Sequence, residues 1–467
     1  MSKVMASLRE AIIASGLKDG MCISFHHHLR SGDYVLNMVL AEIAKMGIKD
    51  LTVNASSIHD GHAPLIEHMK NGVVTGLETN YIGPVVGQAI SEGVLKKPVI
   101  FRTHGGRPSA LENGTAKIDV AFIAAPTSDT MGNCTGKIGK SACGSLGYAF
   151  VDAECADKSI VITDNLVPYP LCNYSISEDN IDYVVAVDAI GNPEGIVSGT
   201  TRMPKDPIAL KIAETAAKAI EASGLLKQGF SFQTGAGGAS LAVASFLKDI
   251  MVEQKIKGSF ALGGITGYIV DMLDEGYIDS IQDVQCFDLK AVESIRNNPK
   301  HQEITATHYA SPTAKSSVAD SLDVAVLGAT QIDTKFNVNV HTDSKGYIIG
   351  GSGGHTDIAD CAKLTVIVAP LSRARMPIVV DKVLTVSTPG SSVDLLVTQY
   401  GIAVNPLRQD IKEKLVQAGL NVKEIQELKE ISDQINGKPA QVQRKKEKVV
   451  AKVLNRDDSL LDEIYAV

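Results

Sequence analysis

No stretch of the 467 residues approaches the ~18 consecutive apolar positions that a membrane-spanning helix needs. The amino-terminal stretch MSKVMASLREAIIASGLKDG carries charges throughout and lacks the apolar centre and cleavage site of a signal peptide. Basic residues are in deficit: 45 Lys and Arg face 53 Asp and Glu, a formal charge of -8, which argues against a nucleic-acid partner. The seven cysteines, Cys22, Cys134, Cys143, Cys155, Cys172, Cys286 and Cys361, are odd in number and contain no C-x-x-C pair. That argues against a disulfide framework and a zinc ribbon and predicts free thiols in a cytoplasmic protein. Tryptophan is absent, and aromatic residues reach only 5%. With 44% hydrophobic and 21% charged residues, the composition is that of a water-soluble globular chain. Its length calls for two or three domains.

Several catalytic signatures are also missing. No Walker pattern G-x-x-x-x-G-K-[ST] stands at either glycine-rich loop, which argues against a nucleotide-hydrolysing P-loop. A dinucleotide site wants G-x-G-x-x-G and an acidic residue ending the next strand. Here the first glycine loop reads G-x-G-G-A-S, and the following strand SFALGG ends in glycines. No G-x-S-x-G elbow occurs, and Cys143 in SACGSLG has no nameable activating partner.

What is present is glycine, 41 of them, and an internal duplication. AIIASGL at 11–17 returns as AIEASGL at 219–225, and Ser24-Phe25 returns as Ser231-Phe232. DVAFIAAPTSDTMGN at 119–133 returns as DVAVLGATQIDTKFN at 323–337, and CADKSIVI at 155–162 as CAKLTVIV at 361–368. The offsets stay between 204 and 208, so the chain reads as two tandem copies of one fold. Short apolar runs alternate with amphipathic helix patterns in each copy, which predicts βαβ units and mostly parallel sheets. We place the first domain at 1–205 and the second at 206–467, with a carboxy-terminal extension from about 430 that ends in a hairpin, VVAKVLNRDDSLLDEIYAV.

Two loops carry the candidate chemistry. Gly235-Ala-Gly-Gly-Ala-Ser240 stands between a strand and a helix, and Gly350-Gly-Ser-Gly-Gly-His-Thr-Asp357 follows an extended stretch. Backbone N–H groups at such turns can hold a phosphate, a carboxylate or an oxyanion. His26-His27-His28 ends a strand; three successive residues of an extended chain cannot all face one ion, so a pocket lining is expected rather than a metal. Arg102-Thr-His104-Gly-Gly-Arg107 places two guanidiniums and an imidazole around a glycine turn, chemistry suited to a polycarboxylate. Arg202, Arg373 and Arg375 are weaker candidates of the same kind.

These pieces resemble the CoA-transferase superfamily (NagB/RpiA-like domains) and, more closely, the citrate lyase alpha-subunit family. The resemblance rests on SFHHHLRSGD (24–33), IDVAFIAAP (118–126), GKSACGSLGYAFVDA (139–153), FQTGAGGASLAV (232–243), FALGGITG (260–267), IDTKFNVNV (332–340), GGSGGHTDIA (350–359) and TPGSSVDLLVT (388–398), in that order. It implies exchange of acetate for citrate on the thioester of an acyl carrier protein. It also implies a carrier (gamma) subunit with a CoA-like arm, a citryl-cleaving beta subunit, a hetero-oligomeric complex and no tightly bound cofactor. CoA-transferases of the glutamate type carry a nucleophilic Glu just after the strand that here reads Phe260-Ala-Leu-Gly-Gly-Ile-Thr266; Gly263 or Gly264 falls at that place. The expected route is therefore direct attack of citrate on the thioester, without a covalent enzyme intermediate. On this reading the oxyanion donors are the amides of Gly237, Gly238, Gly353 and Gly354. His355 orients citrate or moves a proton, and Asn337 or Asn339 bonds the thioester carbonyl. His26, His27, Arg102, His104, Arg107, Arg202 and Arg373 are expected to contact substrate. Gly235, Gly237, Gly350 and Gly351 would face the carrier's arm. The alternatives are the carrier transferase of a malonate decarboxylase, a glutamate-type CoA-transferase for short fatty acids, and a non-catalytic ligand-binding scaffold.

Overall fold

A computed structural model describes residues 3–197, 203–235, 237–437 and 445–467. The duplication is visible in the strand order of two large sheets. Seven parallel strands of the first half lie in the order Val99–Phe101, Val74–Thr79, Leu51–Ala55, Cys22–Phe25, Val120–Ala124, Lys158–Thr163 and Tyr183–Ala186. Seven of the second half follow the same order: His301–Glu303, Ile278–Cys286, Gly258–Ile265, Ser231–Thr234, Val324–Gly328, Leu364–Val368 and Leu395–Thr398. All these neighbours pair in parallel, and strands such as Val120–Ala124 and Leu364–Val368 are buried along their whole length. Continuous apolar runs are what a sheet covered on both faces requires. In each sheet the chain order reverses at the central strand, Cys22–Phe25 or Ser231–Thr234. Ligands of open parallel sheets bind beyond the carboxyl ends of the strands at such a reversal.

The repeat extends to a turn. Asp129 accepts from the amides of Met131, Gly132 and Asn133 and from the Asn133 side chain. Asp333 likewise accepts from the amides of Lys335 and Asn337 and from the Asn337 side chain. The D-T-x-x-N motif shared by both copies is thus a carboxylate-nucleated turn.

The second half opens with the helix Pro207–Ser223. Asp206 caps it by accepting from Ile208 and Ala209, Pro207 starts it, and Gly224 at φ 81° ends it. The carboxy-terminal hairpin forms, but it does not extend the second domain. Its strand Lys445–Leu454 pairs in parallel with Val99–Phe101 and so continues the first sheet, with Leu460–Ala466 antiparallel beside it. An edge strand with unpaired amides offered it a place. All seven cysteines are free thiols. Among the described residues no helix is long and apolar enough to cross a membrane.

Candidate active site

Three adjacent strands of the second sheet carry glycine at or beside their carboxyl ends. Ser231–Thr234 runs into Gly235, Gly258–Ile265 contains Gly263 and Gly264, and Val324–Gly328 ends at Gly328. Gly235 uses its amide on the Val326 carbonyl at 2.8 Å. Gly237 is extended, and Gly238, at φ 60°, opens the helix Gly238–Gln254. The first amides of a helix have no intrahelical acceptor. Gly237, Gly238 and Ser240 line a cavity of about 370 Å³ together with Gly328 and Arg373. A second cavity of about 330 Å³ shares Gly328 and Arg373 and adds Gly351, Ser352 and His355. The two glycine loops therefore meet around one residue, Gly328. His355 fixes that meeting: one ring nitrogen bonds the Gly328 carbonyl at 2.9 Å and the other the Thr388 hydroxyl at 2.8 Å. Burial, its largest influence, lowers the His355 pKa to about 4, so the ring is neutral at pH 7. Ser352 points a buried hydroxyl that has no partner among the described residues.

The loop 350–354 is clasped by the first half. His104 donates its amide to the Gly353 carbonyl at 2.8 Å, Gly353 donates to the Asn80 carbonyl at 3.1 Å, and Ile82 donates to the Gly350 carbonyl at 3.3 Å. A Cβ on Gly351 would lie 2.2 Å from the Asn80 carbonyl oxygen, and one on Gly354 2.4 Å from the Tyr309 hydroxyl. Gly351 is glycine because the backbone of the first half touches it there, and Gly354 because the Tyr309 side chain does.

Across the same seam lies a tier of imidazoles. His27 packs on His104 (5.8 Å between ring centres), Tyr148 (4.8 Å) and His59 (5.7 Å), and His59 packs on Tyr81 (5.6 Å). His27 bonds the Ser56 hydroxyl at 2.6 Å, and its backbone carbonyl accepts from Gln285 of the second half at 3.0 Å. Burial above all lowers His59 and His104 to about 3, and drives His27 and His28 well below their ordinary value. The tier is a stack of neutral rings at pH 7. Asp357, which accepts from Thr103 at 2.6 Å and the Gly105 amide at 2.9 Å, is pushed up to about 6, chiefly by burial.

A family model described as the citrate lyase alpha subunit (CitF) matches residues 1–467. The chain belongs to the citrate lyase alpha-subunit family. It is 49% identical over 465 residues to the citrate lyase alpha chain of Escherichia coli K12, covering 100% of this chain and 91% of that one. It is 48% identical to that of Haemophilus influenzae, covering 100% and 93%. A solved structure described as the alpha subunit of citrate lyase from Streptococcus mutans, in complex with citrate, superposes with TM-score 0.98 at 52% identity, covering 100% of this chain and 92% of that one. The malonate decarboxylase alpha subunit of Acinetobacter baumannii shares the fold, with TM-score 0.68 at 16% identity over 94% of this chain and 93% of that one.

In this citrate lyase alpha-family chain, the residues expected from sequence divide by what they touch. Gly237, Gly238, His355, Gly351 and Arg373 gather at the paired cavities, with Gly350, Gly353 and Gly354 in the loop between the halves. The Gly353 amide is already bonded to Asn80, so it is not a free oxyanion donor. His27 and His104 join the interdomain tier, whereas His26 turns inward, bonding the Ala124 amide and His28. Arg102 pairs with Glu78 and Asp458, and Arg107 forks onto Asp152 while bonding Asn54. Neither guanidinium is free for a substrate. Asn337 closes the Asp333 turn and accepts from Gly390, and Asn339 is consumed by Gln331, His341 and Thr342. Both carboxamides are committed to these partners. Arg202 lies outside the described residues, and Gly235 has its amide committed. Sequence reading passed over Arg30, His59, Tyr81 and Tyr148. Arg30 stands in the turn after the central strand Cys22–Phe25, the first-half counterpart of Gly235–Ser240, and that position was the available signal.

Proposed function

We propose that this chain is the transferase subunit of an ATP-independent citrate lyase. It converts an acetyl thioester on an acyl carrier protein, plus citrate, into the citryl thioester and acetate. The naming of its relatives and the citrate bound by the Streptococcus mutans neighbour support the substrate. The carrier and the citryl-cleaving enzyme would be separate subunits of a cytoplasmic complex. The carrier's CoA-like arm would bring the thioester as substrate.

The observation that carries the mechanism is the strand end at Gly263 and Gly264. Gly263 has φ 109°, and a Cβ there would lie 2.7 Å from the Gln233 carboxamide carbon. A Cβ on Gly264 would lie 2.1 Å from the Phe287 ring. The place where a nucleophilic carboxylate would stand is filled by Gln233 and Phe287. A citrate carboxylate must then attack the acetyl carbonyl itself. The tetrahedral oxyanion collapses to a citryl–acetyl anhydride and a thiolate; the thiolate attacks the citryl carbonyl and acetate leaves. Positioning two bound substrates can supply ~7–11 kcal/mol, and an oxyanion donor such as the Gly237 or Gly238 amide ~3–4 kcal/mol. The test is a mass-spectrometric assay of the purified chain with an acetylated carrier or acetyl-CoA, offered citrate, malonate or a short fatty acid. Formation of the citryl thioester alone is expected. Malonyl transfer, or binding without turnover, would refute the assignment.

A further inference from the structure

The buried and half-buried arginines Arg102, Arg107, Arg408 and Arg456 each pair with a carboxylate. Arg30 is half-buried and has no such partner among the described residues. Its side chain donates to the Ile196 carbonyl at 3.2 Å and lies over the Phe287 ring, 4.7 Å from the ring centre. A guanidinium removed from water without a counter-charge is costly and attracts an anion. Its backbone is also strained. Arg30 has φ 50°, the left-handed region that non-glycine residues avoid, and such outliers persist where the surroundings enforce them. The neighbours that feel its charge are His27, His59 and Tyr81. None of these is a carboxylate. His27 uses one ring nitrogen on Ser56 and leaves the other without a partner among the described residues. Phe287, the platform under Arg30, is the ring that fills the space beside Gly264.

We propose that Arg30, with His27, His59 and Tyr81, grips a carboxylate of the acid substrate and thereby selects a polycarboxylate over acetate. The inference rests on the transfer reading above. A polycarboxylate can present one carboxylate to the thioester and a second to the guanidinium. Acetate has none to spare. The strained backbone holds the fork toward the seam between the halves, and Phe287 links it to the strand end where transfer is proposed. Burial lowers the Arg30 pKa from its ordinary value.

The test uses Arg30→Gln and Arg30→Lys in the full chain. Two rates are compared: citryl thioester formation from citrate, and exchange of isotope-labelled acetate into the acetyl thioester. Arg30→Gln should raise the citrate KM at least tenfold and leave acetate exchange within about twofold of wild type. Arg30→Lys keeps the charge without the fork and should raise the citrate KM several-fold; it decides the matter where the Gln variant does not fold. An unchanged citrate KM, or equal losses in both reactions, would overturn the proposal. Should the wild-type chain form no citryl thioester, the transfer reading fails separately. Calorimetric citrate binding then still judges Arg30: lost binding in Arg30→Gln upholds its role, and retained binding overturns it.

Discussion

His104 of the first half donates its amide hydrogen to the carbonyl of Gly353 in the second, at 2.8 Å, and its ring lies where a Gly353 side chain would begin. That contact welds the second glycine loop to the imidazole tier. Gly353 has φ 51°, and a Cβ there would lie 3.2 Å from His104 Nε2. Gly353→Ala should lose about 1–2 kcal/mol of stability from the left-handed backbone alone. Displacing the loop should also lower turnover about tenfold to a hundredfold. Thermal unfolding and kcat measured on the same preparation check both.

Arg107 and Asp152 form a buried pair, 3% and 1% exposed. Removing one partner strands the other, so Arg107→Met should destabilise the chain by about 3–5 kcal/mol. Adding Asp152→Leu should recover much of that loss. Because Arg107 does not face substrate, the citrate KM of the folded protein should stay unchanged. Urea unfolding of both variants, with kinetics alongside, tests the assignment; a raised KM at unchanged stability would return Arg107 to the substrate site.

The buried imidazoles make the protein labile to acid. His26 and His355 are lowered to about 4, and His59, His104 and His341 to about 3, all chiefly by burial, against 6.5 for a free imidazole. The unfolded chain therefore binds more protons than the native one between these values. Stability from these rings is fully present above pH 6.5 and is lost as pH falls toward 4. Asp357, raised from 3.8 to about 6, acts oppositely: its buried charge destabilises above pH 6 and is relieved on acidification. Burial raises Glu154 and Asp394 in the same direction, but these carboxyls are outnumbered by the five imidazoles. The urea midpoint should drop steeply from pH 7 to pH 5, and His59→Phe should shallow that slope.

The carboxy-terminal hairpin holds both halves. Asp458 pairs with Arg102 of the first, while Arg456 pairs with Asp360 and Asp462 accepts from the Val386 amide of the second. Deleting 445–467 should lower the melting temperature, bare the Val99–Phe101 edge and promote self-association. Calorimetry and size-exclusion chromatography read the two effects.

Much of this was legible in the sequence, and the reason is local. DVAFIAAP and DVAVLGA are both continuous apolar runs before the same Asp–Asn turn, so each announces a buried strand and its exit. The family resemblance set Gly263 or Gly264 at the place where glutamate-type CoA-transferases carry their nucleophile. What escaped notice depends on partners far along the chain. Arg102 looked like a substrate ligand because Asp458, 356 residues away, is invisible to spacing. Asn337 and Asn339 lay in a motif whose carboxamides serve turns. Arg30 resembled any loop arginine until the fold showed that it alone among the buried and half-buried arginines described lacks an acid.

Heavy-oxygen labelling distinguishes transfer without a protein nucleophile from transfer through one. Citrate carrying heavy carboxylate oxygens is mixed with the acetyl thioester in a single turnover, and acetate and protein are weighed. Direct attack places one heavy oxygen from citrate in the acetate and none in the chain. Unlabelled acetate in the first turnover, with a heavy oxygen retained on a side-chain carboxylate, would contradict the account.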